Sequence, residues 1–370
     1  MPDKTPDAND GSALIKKKPP GYTALLLKFV NNREIIQDNF FKQIFSGQES
    51  EYTIHPVASY KIDQWHVVFA NLDVHATTDS FPLLRAVKHT YIGNSDKLNL
   101  NSKLSYFIDG DILHYLDENE NIKTVSKKKL QEEFENNCVE KRLYLLGTDK
   151  SGRDILSRLL FGTRISLAIG FISVLISLFV GVSIGALGGF YGGIIDKVAI
   201  WLMTVVWSIP GIMLVIAISL AIQSKGIWVA FVAVGLTMWV EVARVVRGQI
   251  MSIKQKLYVE AATALGIGNL RIIFVHILPN IMGPIIVIAT ANFASAILIE
   301  AGLSFLGLGV QPPMPSWGMM VSEGYNSNWE SDGGYLVLLP SICISVLVLS
   351  FNLFGNGLRD AYDPQTAVKW

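Results

Sequence analysis

The sequence predicts a mixed α/β domain followed by an all-α domain that crosses a membrane several times. Half of the 370 residues are hydrophobic, but they are unevenly distributed. Charged and polar residues are frequent in residues 1–150, whereas nearly all long apolar runs lie in residues 164–357. Several of these runs approach the ~20 residues that a membrane-spanning helix needs. Acidic and basic residues are equal in number, 31 each, so the charge gives no indication of nucleic-acid binding.

The N-terminal part is expected to be a linker followed by a compact domain. Prolines among Asp, Lys and Asn residues predict an extended linker over residues 1–21, and residues 22–142 are expected to form the domain. Alternating apolar and polar residues predict strands at Glu51–Val57, Trp65–Phe69, Ser105–Ile108, Ile112–Leu116 and Ile122–Val125. Asp109-Gly110 predicts a hairpin turn, and a helix is expected over Lys127–Asn137. The predicted domain is therefore mixed α/β.

Residues 143–370 are expected to form the membrane domain. Apolar residues on one face from Ile155 onwards predict a short helix that lies along the membrane surface. Hydropathy then predicts five spans, at about 165–189, 194–222, 226–246, 281–303 and 335–354. Pro210-Gly211 falls inside the second span and is expected to kink it.

A glycine recurs at every fourth residue where the first predicted span ends and the second begins. These glycines are Gly181, Gly185, Gly189 and Gly193. Residues four apart share one face of a helix. The spacing therefore predicts a face on which another helix packs backbone to backbone.

The segment between the third and fourth predicted spans has the character of a cytoplasmic loop. Its basic residues are Arg247, Lys254, Lys256 and Arg271, and Arg244 lies at the end of the third span. Short loops of this composition stay on the cytoplasmic side of a membrane. The small side chains of Ala261 and Ala262 would let another protein approach a short helix closely, and Gly266 and Gly268 are expected to permit the turn that ends it. We therefore expect a surface helix that a soluble partner contacts and displaces.

Ionisable residues within the predicted spans are few. Glu300 is expected to reach the outer membrane interface, and no series of ionisable groups follows the spans as a proton-coupled carrier requires. The chain also lacks a G-x-x-x-x-G-K-[ST] phosphate-binding loop. The two cysteines and six scattered histidines show no metal-binding spacing. We expect neither a catalytic residue nor a metal or cofactor on this chain, so that energy comes from a partner.

The basic loop also carries a pattern that resembles a known family. Glu260-Ala261-Ala262 followed by Gly266, with Leu278 and Pro279 further on, resembles the EAA signature of ABC importer permeases. In that family the loop helix binds a groove on a cytoplasmic ATPase. The resemblance therefore implies that these six residues couple the chain to an ATPase, and that ATP is bound and hydrolysed by partner subunits rather than by this chain, which is not itself an enzyme.

Further motifs resemble, within this family, the C-type permease subunit of dipeptide and oligopeptide importers. They are L-G-T-D-x-x-G-R-D from Leu146, E-A-G-L-S-F-L-G-L-G from Glu300, P-S-W-G from Pro315 and G-N-G-L-R-D from Gly355. In the last motif Asn356 stands where the family usually has Asp. The resemblance implies a type I ABC importer permease fold over residues 143–370.

The same resemblance implies a set of partners and a function. The partners would be a homologous second permease, two ABC ATPase subunits, an extracytoplasmic substrate-binding protein and membrane lipid. The expected function is import of dipeptides and oligopeptides, along a path formed with the second permease. A same-type importer of nickel or another small solute is the alternative within the family. A secondary carrier is disfavoured by the missing intramembrane charges, and a passive membrane anchor by the EAA loop.

The resemblance also implies an orientation in the cell inner membrane. Residues 1–160 would lie outside, with residues 22–142 as an enlarged first outer loop, whereas the EAA loop and the C-terminus would be cytoplasmic. The N-terminal part would then have to cross the membrane, yet no run of ~18 apolar residues precedes Ile165. We therefore expect a further span ahead of Met1, which would be an internal start or a truncation point. The alternative is an N-terminal part that is exported unaided.

Overall fold

The computed structural model describes residues 11–31, 52–72, 77–91, 106–224, 226–311, 314–326 and 333–362, and the chain divides into two compact units, Met1–Phe161 and Gly162–Trp370. The boundary lies beyond the predicted one at residues 142 and 143, because the residues after Tyr144 pack within the first unit. Thr148 is fully buried, and its Oγ1 donates a hydrogen bond to the Ile15 carbonyl at 2.5 Å. The same hydroxyl accepts a hydrogen bond from the Lys18 backbone N–H at 2.9 Å.

A buried ion cluster fixes the end of the first unit. The Asp149 carboxylate accepts hydrogen bonds from Arg153 Nε at 2.6 Å and from Arg158 Nη1 at 2.5 Å. Burial alone would raise the pKa of Asp149, but the charges of Arg158 and Arg153 outweigh it and hold that pKa below its usual value. The L-G-T-D-x-x-G-R-D motif therefore forms a folded, charge-paired turn.

The strands of the first unit form two antiparallel sheets. The larger has the order β4-β3-β2-β1-β8, with β1 Tyr22–Val30, β2 Tyr52–Asp63, β3 His66–Asn71, β4 Thr78–Pro82 and β8 Val139–Tyr144. The smaller has the order β5-β6-β7, with β5 Tyr106–Asp109, β6 Ile112–Leu116 and β7 Ile122–Ser126. The five predicted strands correspond to β2, β3, β5, β6 and β7. The strands β1, β4 and β8 were not predicted.

Two short helices complete the core of this unit. These are α1, Leu83–Val87, and α2, Lys127–Asn137, which has the predicted bounds. Helix α2 begins after Ser126, whose Oγ accepts a hydrogen bond from the Lys129 N–H at 3.4 Å. Its buried Leu130 and Phe134 belong to one apolar cluster with Phe29 of β1. The sheet and helix thus bury a common core, as a mixed α/β domain does.

The predicted linker over residues 1–21 is wrong for the part that the structure describes. Ala13–Ile15 form a 3-10 helix, and Ile15 is buried against Leu26 and Tyr144. The apolar side chain of Ile15 gains by burial in the first unit, which an extended linker would not provide. Residues 1–10 lie outside the described residues.

The second unit is helical. Its first helix, α3, begins at Ile155, before the boundary between the units. The helices are α3 Ile155–Tyr191, α4 Gly193–Trp207, α5 Gly211–Ile222, α6 Ile227–Lys254, α7 Leu257–Ala264, α8 Met282–Phe305, α9 Trp317–Tyr325 and α10 Gly334–Tyr362. Among the described residues, four helices are long and apolar enough to cross a membrane, or five if α4 and α5 count as one span. These correspond in position to the five predicted spans.

Two features of the spans differ from the prediction. The separate surface helix from Ile155 is wrong, because α3 runs unbroken for 37 residues and contains no proline. The kink at Pro210 is a break with a 93° bend between α4 and α5. Proline lacks an N–H and disfavours the helical conformation in the residue before it. Helix α4 therefore ends at Trp207, and Pro210 precedes the first turn of α5.

Candidate functional site

The loop between α6 and α8 forms a short helix, α7, with a defined end. The N–H of Ile267 donates to the Ala262 carbonyl at 3.2 Å, and the N–H of Gly266 donates to the Thr263 carbonyl at 3.0 Å. These two bonds form the turn that commonly ends a helix at a residue of left-handed conformation. Gly266 has φ +76°, which only glycine adopts at little cost. Gly268, which was expected to share this role, has φ −61° and precedes the next helical turn.

Helix α7 has one buried and one exposed face. Val259 and Ala262 are buried, whereas Glu260 and Ala261 are exposed. The buried pair packs in a single apolar cluster with residues of the segment that follows, namely Ile272, Ile273, Ile277 and Ile281. The same cluster includes Ala186 and Phe190 of α3. Helix α7 is therefore attached to the helix bundle through its inner face and leaves its outer face free.

The exposed side of this loop is strongly apolar. Leu257 is 84% exposed and Leu265 is 81% exposed, one at each end of α7. Tyr258, Leu270, Phe274 and Val275 add further exposed apolar side chains. Exposed apolar patches of this kind, next to charged residues, are typical of surfaces that bind another protein.

Leu278 and Pro279 lie where the loop returns to a membrane helix. Asn269–Arg271 begin a helical segment that continues as a π-helix over Ile272–Ile277 and as a 3-10 helix over Leu278–Ile281. Pro279 cannot donate a backbone hydrogen bond, so the regular α-helical pattern cannot pass through this point. Leu278 is half-buried against the apolar cluster of α7, and Pro279 is exposed. The six predicted coupling residues thus lie in one continuous loop.

Three of the four glycines in the predicted stripe lie against α6. A Cβ added at Gly181 would be 2.6 Å from Val242 Cβ, and one at Gly185 would be 2.5 Å from the Ala243 carbonyl oxygen. At Gly189 the Arg247 carbonyl oxygen would be 2.8 Å away. Atoms cannot approach so closely, so α3 and α6 pack at a distance that only glycine allows. Gly193 does not belong to this contact: it has φ +56°, follows the end of α3 and has no atom near its Cβ position.

The structure shows a buried carboxyl group whose environment the sequence did not reveal. Glu300 was expected at a membrane interface, but it is 1% exposed. Its Oε1 accepts hydrogen bonds from Ser304 Oγ at 2.7 Å and from Ser316 Oγ at 2.9 Å. The contact with Ser304 could be predicted from the sequence, because Ser304 lies four residues after Glu300 on α8. Ser316 lies after the loop that joins α8 to α9. Glu300 therefore links α8 to the start of α9.

In the described part of the chain, no group of three or more His, Cys, Asp or Glu side chains could hold a metal ion. Cys138 is buried and Cys343 is half-buried, and both are free thiols. Burial raises the pKa of the Cys138 thiol to about 11, so this group stays protonated at neutral pH.

Comparison with known proteins supplies the context for this loop. The family model described as a binding-protein-dependent transport system inner membrane component matches residues 178–368. The glutathione transport system permease protein GsiD of Pectobacterium atrosepticum is 43% identical over 220 residues, which are 60% of this chain and 72% of the relative. The dipeptide transport system permease protein DppC of Haemophilus influenzae is 42% identical over 222 residues, 60% of this chain and 74% of the relative.

The chain is also similar to a third relative and to a solved structure. The oligopeptide transport system permease protein OppC of Bacillus subtilis is 39% identical over 223 residues, 59% of this chain and 71% of the relative. A chain of the inward-facing MetNI methionine ABC transporter is 20% identical with a TM-score of 0.47, covering 56% of this chain and 97% of that one.

Proposed function

The chain belongs to the family of binding-protein-dependent transport system inner membrane components, and from this premise we propose that it is the permease subunit of an ATP-driven importer of peptides. Three relatives are named for transport of glutathione, dipeptides and oligopeptides, which are all peptides. The chain is a multi-pass inner-membrane protein, in keeping with its long apolar helices. The nickel and secondary-carrier alternatives have no observation in their favour.

A permease of this kind works within an assembly. We propose that a homologous permease completes the translocation path, that two ATPase subunits bind on the cytoplasmic side and that a substrate-binding protein delivers peptides from outside. The first unit, which lies outside the matched residues 178–368, would then be extracytoplasmic. ATP would be hydrolysed by the partners.

The observation that carries this proposal is the form of α7. Its inner face, Val259 and Ala262, packs in the bundle, while Leu257 and Leu265 expose apolar side chains at its two ends. A helix that is attached on one side and exposes apolar side chains at both ends can bind a soluble partner and move the bundle with it. This arrangement supports a role for Glu260–Gly266 in coupling to the ATPases.

Reconstitution tests the transport activity. The chain, co-expressed with the products of its neighbouring genes, would be purified as a complex and placed in proteoliposomes with the binding protein outside. We expect uptake of labelled dipeptides to pentapeptides only when ATP is supplied on the ATPase side. Uptake of Ni²⁺ but not of peptides would contradict the substrate class, and uptake driven by a proton gradient without ATP would contradict the mechanism.

A substitution on α7 tests the coupling surface. Leu265→Glu places a charge on the exposed apolar patch and should abolish co-purification of the ATPase subunits. Leu145→Glu is the matched control, since Leu145 is a half-exposed leucine of the first unit. Retention of the ATPase by Leu265→Glu, or its loss in both variants, would argue against this surface.

A further inference from the structure

Helix α4 has few apolar contacts that could fix its position in the bundle. Of its residues, Ala199 and Met203 are buried, and they pack with Trp239 and Ala243 of α6. Most of the remaining side chains of α4 are exposed, up to 80% for Ile194. Its placement therefore depends strongly on polar contacts at its ends.

The first of these contacts lies in the first turn of α4. Arg247 Nε donates to Asp196 Oδ1 at 2.5 Å, and Arg247 Nη2 donates to Asp196 Oδ2 at 2.8 Å. Paired hydrogen bonds between a guanidinium and a carboxylate fix orientation as well as distance. Both side chains are about four-fifths buried, so water screens the pair only in part.

The second contact lies at the last residue of α4. The Arg244 guanidinium lies over the ring of Trp207, 3.7 Å from the ring centroid, which is a cation–π contact. Trp207 immediately precedes the 93° bend into α5. Arg244 and Arg247 are three residues apart on one face of α6. Two neighbouring arginines of α6 therefore bind the two ends of α4.

Helix α6 leads directly into the coupling loop. It ends at Lys254, and α7 begins at Leu257. Lys254 Nζ donates to the Phe190 carbonyl at 2.6 Å and lies over the Phe190 ring. That carbonyl is in the last turn of α3, where helix carbonyls lack backbone partners. Phe190 also packs in the apolar cluster that holds Val259 and Ala262 of α7.

We infer that Arg244 and Arg247 are positioning residues that make α4 move together with α6 when a partner displaces α7, so that the displacement reaches the α4–α5 bend. This inference rests on the proposed function, because it assumes a partner that moves α7. Arg244 and Arg247 hold α4, whereas Lys254 contacts Phe190 at the end of α3. Lys197 of α4, which is next to Asp196, is exposed.

Weakening either contact should uncouple ATP hydrolysis from transport. In proteoliposomes, Asp196→Asn and Trp207→Leu should each lower the number of peptides imported per ATP hydrolysed by about fivefold or more, the lower range of couplings between sites. Basal ATPase activity and recovery of the intact complex should remain unchanged. Lys197→Gln removes an exposed positive charge next to Asp196 on α4 and serves as the control, which should behave as wild type.

Charge exchange separates a positioning role from a general loss of stability. The double variant Asp196→Arg with Arg247→Asp re-forms the ion pair in reverse and should recover coupling that each single variant loses. Unchanged coupling in the Asp196→Asn and Trp207→Leu variants, or an equal loss in Lys197→Gln, would overturn the inference.

The distance between α4 and α6 tests the inference independently of any transport assay. Spin labels at Ile194 of α4 and Gly248 of α6 occupy exposed or open positions. Their separation should stay constant between the nucleotide-free and the nucleotide-trapped complex of the wild type, and should change in Asp196→Asn. A wild-type separation that changes between the two states would refute joint movement. If peptide uptake fails in the wild type while this separation stays constant, the proposed substrate is wrong and the inference stands.

Discussion

At the scale of single residues, glycines of α3 allow this helix to approach the backbone of α6 very closely. Gly185→Ala places a methyl group 2.5 Å from a backbone oxygen of α6, which cannot move aside as a side chain can. We expect a loss of about 1–3 kcal/mol in the free energy of unfolding, the usual cost of overpacking. Thermal unfolding of the purified protein in detergent would measure the change.

The control for this substitution is Gly248→Ala on α6. A Cβ at Gly248 meets no atom within 4 Å. Alanine is favoured over glycine inside a helix by roughly 0.5–1 kcal/mol. Gly248→Ala should therefore be neutral or stabilising, and a similar loss in both variants would contradict the packing argument.

Glu140 makes the first unit sensitive to acid. Burial of this carboxyl by itself raises its pKa, but hydrogen bonds and charges from Arg142 and Lys28 outweigh the burial and lower the pKa to about 2. Because the unfolded chain has an ordinary, higher pKa of about 4.3, Glu140 stabilises the fold above that value. This contribution decreases as the pH falls toward 2.

Hydrogen exchange of the β1 and β8 amides, corrected for intrinsic exchange rates, would detect this effect. The wild type should lose protection as the pH is lowered from 5 to 3, and Glu140→Gln should lose less protection over that range. An identical pH dependence in both proteins would show that Glu140 does not carry the acid sensitivity.

The positions of Gly193 and Glu300 could not be predicted from sequence patterns. A four-residue spacing indicates a shared face only while the helix continues. Gly193 follows the end of α3 at Tyr191, and the spacing gave no sign of that end. One of the two hydrogen bonds that Glu300 accepts comes from Ser316, which lies 16 residues away and reaches it only after the chain has folded back.

At the scale of the element, the end of α7 is the part most sensitive to substitution. Gly266→Pro cannot adopt φ +76°, because the proline ring holds φ near −65°. We expect the variant to insert in the membrane at normal abundance, but to bind ATPase subunits weakly and to import at least about tenfold less, as expected for a lost coupling. Co-purification and uptake assays would measure both effects.

Gly268→Ala is the matched control for this turn. Gly268 is also an exposed glycine of the loop, but its φ of −61° suits any residue and its Cβ position is open. It should import at the wild-type rate. Normal import by Gly266→Pro would show that the turn does not couple the chain to its partner.

The α4–α5 pair shows the limit of prediction for an element. Pro210-Gly211 predicted the position of the helix break correctly. Proline lacks an N–H and disfavours the helical conformation in the residue before it, and both effects interrupt a helix. The angle depends on tertiary contacts, such as Arg244 with Trp207, that no local pattern contains. For this reason a kink was predicted where the structure has a 93° bend.

Whether this pair crosses the membrane can be tested directly. Ile194 precedes the bend and Ser224 follows α5, and both are exposed. In a background lacking Cys138 and Cys343, we expect Ile194→Cys and Ser224→Cys to react with an impermeant thiol reagent from opposite sides. Reaction from the same side would identify a re-entrant pair that enters and leaves the membrane on one face.

At the scale of the whole molecule, the basic loop sets the orientation. Ser252→Cys lies near the end of α6, and Asn326→Cys directly follows α9. Both positions are exposed. We expect Ser252→Cys to react only when the cytoplasmic side is accessible, and Asn326→Cys to react from outside in intact cells. Equal reaction of both in intact cells would contradict the proposed topology.

The division of the chain into units was predictable in outline from composition. The change from charged to apolar residues predicted two parts, and alternating apolar and polar residues predicted five of the strands. The boundary was misplaced because Thr148 contacts Ile15, and Asp149 contacts Lys17, only after folding. Distant contacts of this kind also explain why residues 11–21 resembled a linker.

The glycine contact between α3 and α6 also has a consequence for biosynthesis. Val242 lies 61 residues after its partner Gly181. At about 5–20 residues per second, the ribosome needs roughly 3–12 s to supply it. During that interval the glycine face of α3 lacks the α6 residues that cover it in the folded chain. If the ribosome stalls between these two residues, the nascent chain contains α3 without the part of α6 that packs against it. We expect such chains to be degraded by membrane proteases.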